Sequence, residues 1–395
     1  MTPAKLPALP FVLWFVLPFA LVLALLAAPA LAETRLVGPG GQPTSLRAAL
    51  DAAQDGDVIE LLPGQYRAEA VVIPPKRLTI RGLGERPVFI ADGKVAEGKA
   101  IFVMRGGEIT VQNIEFRGAR APDANGAGIR LESGRLRVVN CAFFDNENGI
   151  LTGNDETAEL NIESSIFGAA PRVVGRLYHL LYVGRIAKFE ISGSRFHRGF
   201  EGHLLKSRAR ESRITANLFH DGPGGGASYE IDLPNGGQAW IIGNVIAQAA
   251  TSQNPVVVAY GAEGRAWESS ALYMAHNTLL DEGWMPAWFL RVFRDRLPPA
   301  TEVHAVNNLT VGFGVFRWGA RGQFEGNQHV WSARALADPA MLAFEPATGS
   351  SLIGVGVDPS NIAGHDLSPK LEFKLPIGTR PVPSATRWTP GAYQR

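Results

Sequence analysis

The segment His203 to Phe219, HLLKSRARESRITANLF, decides the fold. Its last six residues, Ile214-Thr-Ala-Asn217-Leu-Phe219, set an apolar residue, an Asn and a large apolar residue at fixed spacing. The same pattern occupies residues 111–116, 138–143, 162–167 and 191–196 upstream. Downstream it occupies 241–246 and 274–279, with a looser copy over 305–310. The closing residues lie 27, 24, 29, 23, 27, 33 and 31 positions apart. A period in that range marks a solenoid, in which each unit buries its apolar face against its neighbours.

Two columns decide which solenoid. Phe116, Phe143, Phe167, Phe196 and Phe219 share one register. Two residues earlier stand Ile114, Cys141, Ser165, Ser194, Asn217, Asn244 and Asn277. Asn or Ser side chains stacked at a tight turn can bond the equivalent group one coil away, and Asn tolerates the left-handed backbone such turns need. The segments between are short, rich in Val, Ile and Phe, and bounded by Gly, Asn and Asp, so they read as strands. A leucine-rich repeat needs its own Leu and Asn spacing, and a propeller blade needs about 40 residues. The expectation is an all-β chain forming a single right-handed parallel β-helix.

This pattern resembles the right-handed parallel β-helix proteins of the pectin-lyase-like superfamily, over roughly residues 34–311. That scaffold hosts lyases, hydrolases, epimerases and binding proteins, so function has to be argued from a site.

The rest of the chain fits around the coils. Residues 1–32 read as a signal peptide: Lys5 is the charged start, an apolar run follows from Phe11, and Ala30-Leu-Ala32 is a cleavage site. The mature protein is then expected in the periplasm or outside the cell, as a monomer with no membrane association. Cys141 is the only cysteine, which rules out an internal disulfide and falls in the turn column. Residues 33–57 are predicted to cap the open end, with Leu46, Ala49, Leu50 and Ala53 at helical spacing. Coils are expected over 58–319. Residues 281–299, with Trp284, Trp288, Phe289, Arg291, Phe293, Arg294 and Arg296, read as an insertion projecting from one face: either a wall that stacks on sugar rings or a segment packed on the solenoid. Residues 320–395 read as an extension folded back on the coils. Lys plus Arg is 38 against 37 for Asp plus Glu, a balance that argues against a nucleic-acid partner.

Chemistry concentrates where three coils align: residues 179–183, 203–207 and 229–233. Side chains alternate along a strand. Leu181, Leu205 and Ile231 are taken as inward, with His179, His203 and Tyr229 of the same parity at the strand starts. Tyr182, Lys206 and Asp232 then form one outward row, which Glu132 is expected to extend. Leu180, Leu204 and Glu230 form another, with Arg185 and Arg208 just past the strand ends. A shallow groove lined with ionisable groups suits an extended polysaccharide. Lys206 is the leading candidate for a general base, with His203, Arg208 and Asp232 beside it, and His179, Tyr182, Arg185 and Glu230 as substrate contacts. No metal or cofactor signature stands out. Calcium is conceivable if Glu132, Glu230 and Asp232 converge from neighbouring strands. The bland alternative for Lys206 and Asp232 is a cross-strand ion pair.

Residues 201–219 also resemble the chondroitinase B and alginate lyase family, in which a Lys-Ser pair precedes an Asn turn and a Phe. The resemblance implies that Lys206 is the base of a β-elimination on a uronate. That family carries an Arg in the next coil. Here Asp232-Leu-Pro-Asn-Gly stands in its place, leaving Arg208 or Arg185 to neutralise a substrate carboxylate. Two function classes follow. One is an exported polysaccharide lyase, with hydrolase and epimerase chemistry behind it. The other is a non-catalytic glycan-binding or structural β-helix.

Overall fold

The computed structural model describes residues 1, 3–4, 32–384 and 387–395. The proposed leader lies almost wholly outside them. Three parallel sheets of 12, 11 and 10 strands run the length of the molecule, here called sheets A, B and C. Each coil contributes one strand to each in that order, as in Glu211–Thr215, Leu218–His220 and Ile231–Leu233. The chain is a parallel β-helix.

The two sequence columns hold the coils in register. The turn from sheet A to sheet B carries a hydrogen-bond ladder. The Asn217 backbone N–H donates to Asn244 Oδ1 at 2.9 Å, Asn244 to Asn277 at 3.0 Å, Asn277 to Asn308 at 3.1 Å and Asn308 to Asn327 at 2.9 Å. Upstream, Ser165 and Ser194 take the same role through their hydroxyls. The left-handed backbone falls one position before the ladder rather than on it, at Asn113, Asn140, Ser164, Ala216, His276 and Asn307. The Asn side chains are therefore selected for the ladder. Inside sheet B, Phe116, Phe143, Phe167, Phe196 and Phe219 stack with centroids 4.6–5.3 Å apart.

At the N-terminal end, the helix Leu46–Ala52 starts at Ser45, whose hydroxyl accepts the Ala48 N–H at 3.2 Å. It buries Leu46, Ala49 and Leu50, and a strand before it, Thr34–Val37, adds to sheet A. Residues 281–299 are not an insertion. Ala287–Val292 is a sheet C strand, paired with Val256–Tyr260 and Gly314–Trp318, and Phe289 points into the core. Sheet pairing continues past residue 319, through Phe324–Glu325 and Gln328–Val330. The tail after that runs back along the sheet A–B turn, where Gly378 N–H meets the Gly193 carbonyl at 2.7 Å.

Candidate functional site

Sheet C carries the aligned strands, in the register the sequence implies: Leu181, Leu205 and Ile231 pair in one column, and Tyr182, Lys206 and Asp232 in the next. The first column is buried. The second faces out. The flanking columns differ from expectation. Leu180, Leu204 and Glu230 lie in the core, all at most 4% exposed, whereas His179, His203 and Tyr229 stack as a row on the outer face.

The backbone explains the exchange. The N–H groups of both Leu180 and Leu181 donate to the next coil, at His203 and Leu204, and those of Leu204 and Leu205 do so at Tyr229 and Glu230. Consecutive residues of a regular strand point their N–H groups to opposite neighbours. Two in a row on one side is a bulge, and a bulge shifts the in–out alternation by one. Glu132 is also displaced from its expected column. Arg130, through Leu151, is the residue that aligns with Tyr182 and Lys206.

The outer face gathers a compact polar cluster. Lys206 Nζ lies 3.5 Å from Asp232 Oδ2, and His203 Nε2 lies 3.3 Å from the same oxygen. Asp232 Oδ1 is buried with no partner. Arg208 Nε donates to the Tyr182 hydroxyl at 2.9 Å, and its NH1 donates to Asn235 Oδ1. Across from them stands Glu263. Its two oxygens take Lys206 Nζ and Arg208 NH2, each at 2.6 Å. The loop carrying Glu263 is anchored by Trp267, whose indole N–H donates to the Arg208 carbonyl at 3.1 Å.

In the coils before Arg208 the equivalent positions are Gly184 and Gly153, which pack closely on each other. A Cβ on Gly184 would sit 2.1 Å from the Gly153 carbonyl oxygen. Arg185 does not join the cluster: its side chain is exposed, and its backbone N–H bonds Asn154.

The histidine row sets proton positions. His179 Nδ1 accepts the His203 N–H at 2.9 Å, and His203 Nδ1 accepts the Tyr229 N–H at 3.3 Å. Each ring in its neutral form therefore carries its proton on Nε2, and His203 donates to Asp232. Burial, and then His203, Lys206 and Arg208 nearby, hold the His179 ring well below the usual imidazole range. For Glu263 burial acts upward, but the hydrogen bonds from Lys206 and Arg208 outweigh it and keep the carboxyl below its usual range.

Calcium at Glu132, Glu230 and Asp232 is not supported. Glu132 is tied to Lys99 and Arg130, Glu230 is in the core and Asp232 is on the outer face. Among the described residues no three acidic, His or Cys side chains converge to hold a metal ion.

Glu230 makes a different contribution. Its Oε2 accepts from Gln248 Nε2 at 3.2 Å, and its Oε1 is buried without a partner. Burial, and then Asp221 and Asp281, push its carboxyl well above the usual range; burial raises Asp221 to about 6. The folded state thus holds protons that the unfolded chain releases. That stability is full below the unfolded pKa values and is lost as pH rises through the folded ones. For Asp221 the window runs from 3.8 to about 6, and for Glu230 it runs upward from 4.5. The melting temperature should fall as pH is raised, by up to about 1.4 kcal/mol of stability per pH unit per group. Glu230→Gln should melt higher than the native protein at alkaline pH, and the gap should close in acid. Parallel melting curves for the two proteins would refute this assignment.

Glu263, Asn235 and Trp267 were not legible as site residues. Glu263 lies 57 residues from Lys206. The one available signal is coil length: the step from Ile246 to Leu279 is 33 residues, the longest in the series, and part of that excess is the loop that carries Glu263 and Trp267.

Comparison with known proteins supports the architecture. Pectate lyase Pel9A is similar in structure, with a TM-score of 0.58 at 16% identity, covering 92% of this chain and 96% of that one. An alginate lyase from Paenibacillus sp. str. FPU-7 has a TM-score of 0.48 at 14% identity, covering 74% and 98%. At such identities the likeness is one of fold. No family model and no curated protein matches the sequence.

Proposed function

We propose that this parallel β-helix, similar in fold to pectate lyase Pel9A, takes an extended polysaccharide along one of its sheets. We propose that the chain is exported and acts on an acidic, uronate-containing glycan by β-elimination, at the cluster around Lys206. One observation carries this reading. Lys206 and Arg208 together hold a carboxylate on the open face of sheet C, and that carboxylate belongs to Glu263. A uronate carboxylate has the same chemistry and can take the same place.

In the productive complex the substrate carboxylate replaces Glu263 on the NH2 group of Arg208, whose Nε and NH1 stay on Tyr182 and Asn235. Lys206, released from Glu263 and with its ammonium proton given up to solvent, acts as the neutral amine and removes the proton on the carbon next to that carboxylate. The electron pair left behind forms the carbon–carbon double bond, and the bond to the leaving sugar oxygen breaks. Tyr182 gives that oxygen its proton; its hydroxyl already accepts from Arg208, so its own hydrogen is free to donate. Arg208 takes the carboxylate-neutralising role left open by Asp232 in the next coil. Asp232 and His203 hold Lys206 in position.

The non-catalytic reading rests on Glu263 itself. A carboxylate fixed on both cations also describes a structural ion network. Glu263→Gln separates the two. If Glu263 competes with substrate, its loss lowers KM several-fold, because the binding glycan no longer displaces a half-exposed charged partner worth up to about 1 kcal/mol. A KM that is unchanged or higher, with a lower melting temperature, would favour the structural network.

A further inference from the structure

The row that contains Lys206 and Asp232 continues along sheet C through Ala259 and Arg291 to Trp318. At strand spacings of about 4.8 Å, Arg291 lies roughly 14 Å and Trp318 roughly 19 Å from Lys206 along the same face. There the surface changes character. The Arg291 guanidinium sits 4.3 Å from the Trp288 ring centre and 4.6 Å from that of Phe293. Trp288 stacks on Trp318 at 5.7 Å with an interplanar angle of 13°, and Trp318 is 58% exposed. A cavity of about 460 Å³ opens between Arg291, Phe293, Arg294, Asp295, Trp318 and Arg321.

Three cations and one anion line this cavity. Among the described residues, none of Arg291, Arg294 and Arg321 has a carboxylate within 4 Å, and Asp295 is nearest to Arg296, at 3.9 Å. The cavity thus presents a net positive charge, its one carboxylate paired with none of the three Arg residues, beside a flat aromatic face. Around Lys206 and Arg208, by contrast, Glu263 supplies the counter-ion.

We propose that this cavity is a distal subsite for an acidic sugar of the same glycan chain. Arg291 and Arg321 take its carboxylate, and Trp318 supports a sugar ring. The inference rests on the reading of the Lys206 cluster as a uronate site. A small inorganic anion would make no use of the Trp face, and the row that joins the two places suits one extended chain lying across the strands.

The test is titration calorimetry of the full chain carrying Lys206→Ala, which leaves glycans uncut, with a length series of uronate oligomers. Affinity should climb with length until an oligomer spans from residue 206 to residue 318. Adding Arg321→Gln or Trp318→Ala should cost about tenfold on the longest oligomers, the equivalent of one lost charge-assisted contact, and much less on the shortest. Affinity independent of length, or an equal loss at every length, overturns the subsite and leaves the Lys206 reading standing. If neither this protein nor the native one binds any uronate, the Lys206 reading falls as well. Tighter binding of single-stranded RNA than of uronate oligomers also overturns the proposal. Should Trp318→Ala disturb folding, Arg321→Gln, at an exposed position, carries the test alone.

Discussion

Replacing Lys206 by Ala should lower turnover of a uronate polymer by about two to four orders of magnitude, the range that a positioned general base contributes. The fold should survive. Lys206 sits on the outer face of sheet C and its ion partners are Asp232 and Glu263, of which Glu263 is 45% exposed. The Glu263 pair adds little to stability, whereas buried Asp232 loses Lys206 and keeps only its contact with His203, so the thermal melt should shift downward without loss of the fold. Asp232→Ala should act more mildly and through Lys206, because Asp232 holds the ammonium and His203 but has no place in the bond changes. The informative measurement is kcat for both variants beside their thermal melts. Equal and small losses in the two would reduce the cluster to an ion network and remove the catalytic reading.

Phe167→Ala should destabilise the protein by about 3–5 kcal/mol. Phe167 is fully buried between Phe143 at 4.8 Å and Phe196 at 4.7 Å, with rings within 8° of parallel. A solenoid coil leans only on its neighbours, so a gap in the middle of the stack weakens both interfaces of one coil. Chemical denaturation should therefore show a clearly lower midpoint, and the break is expected to divide the transition in two. A loss below about 1 kcal/mol would mean that the stack relaxes to fill the hole, contrary to the close packing of such cores.

The fold was legible because its determinants repeat. Asn217, Asn244 and Asn277 recur at one position of successive turns, and a large apolar residue, Phe219, Ile246 or Leu279, recurs two residues later, so each coil confirms the next. Register in sheet C was legible for the same reason: Leu181, Leu205 and Ile231 align as the sequence places them. Side-chain direction was only half legible. The alternation rule holds from residue 181 to residue 183 and fails at Leu180 and His179, because a bulge inserts there without any Gly or Pro to announce it. That error moved Glu230 to the surface and the His row to the interior. The 281–299 segment was misjudged for a related reason. Its Trp and Arg content reads as a protruding loop, yet Trp288 and Arg291 are the outward residues of a sheet C strand whose two inward residues, Phe289 and Leu290, stand side by side.

The site itself was legible in part. Lys206, Arg208, His203, Asp232, Tyr182 and His179 come together, since five of them lie in aligned columns and Arg208 follows directly. Arg185 stays apart, because the strand has ended and its side chain turns to solvent. Glu263 reaches Lys206 across a loop, and no periodic pattern encodes where a loop returns.

The most direct test of the central claim is a panel of uronate polymers incubated with the purified chain from residue 33 onward. Ultraviolet absorbance of the conjugated product and release of reducing ends are followed together. The account predicts that on at least one polymer both signals rise together and that both vanish in Lys206→Ala. Reducing ends without the new absorbance would mean hydrolysis, and a change of sugar composition without cleavage would mean epimerisation; either contradicts elimination at Lys206. Retention of a polymer with no turnover would leave a binding protein in place of an enzyme.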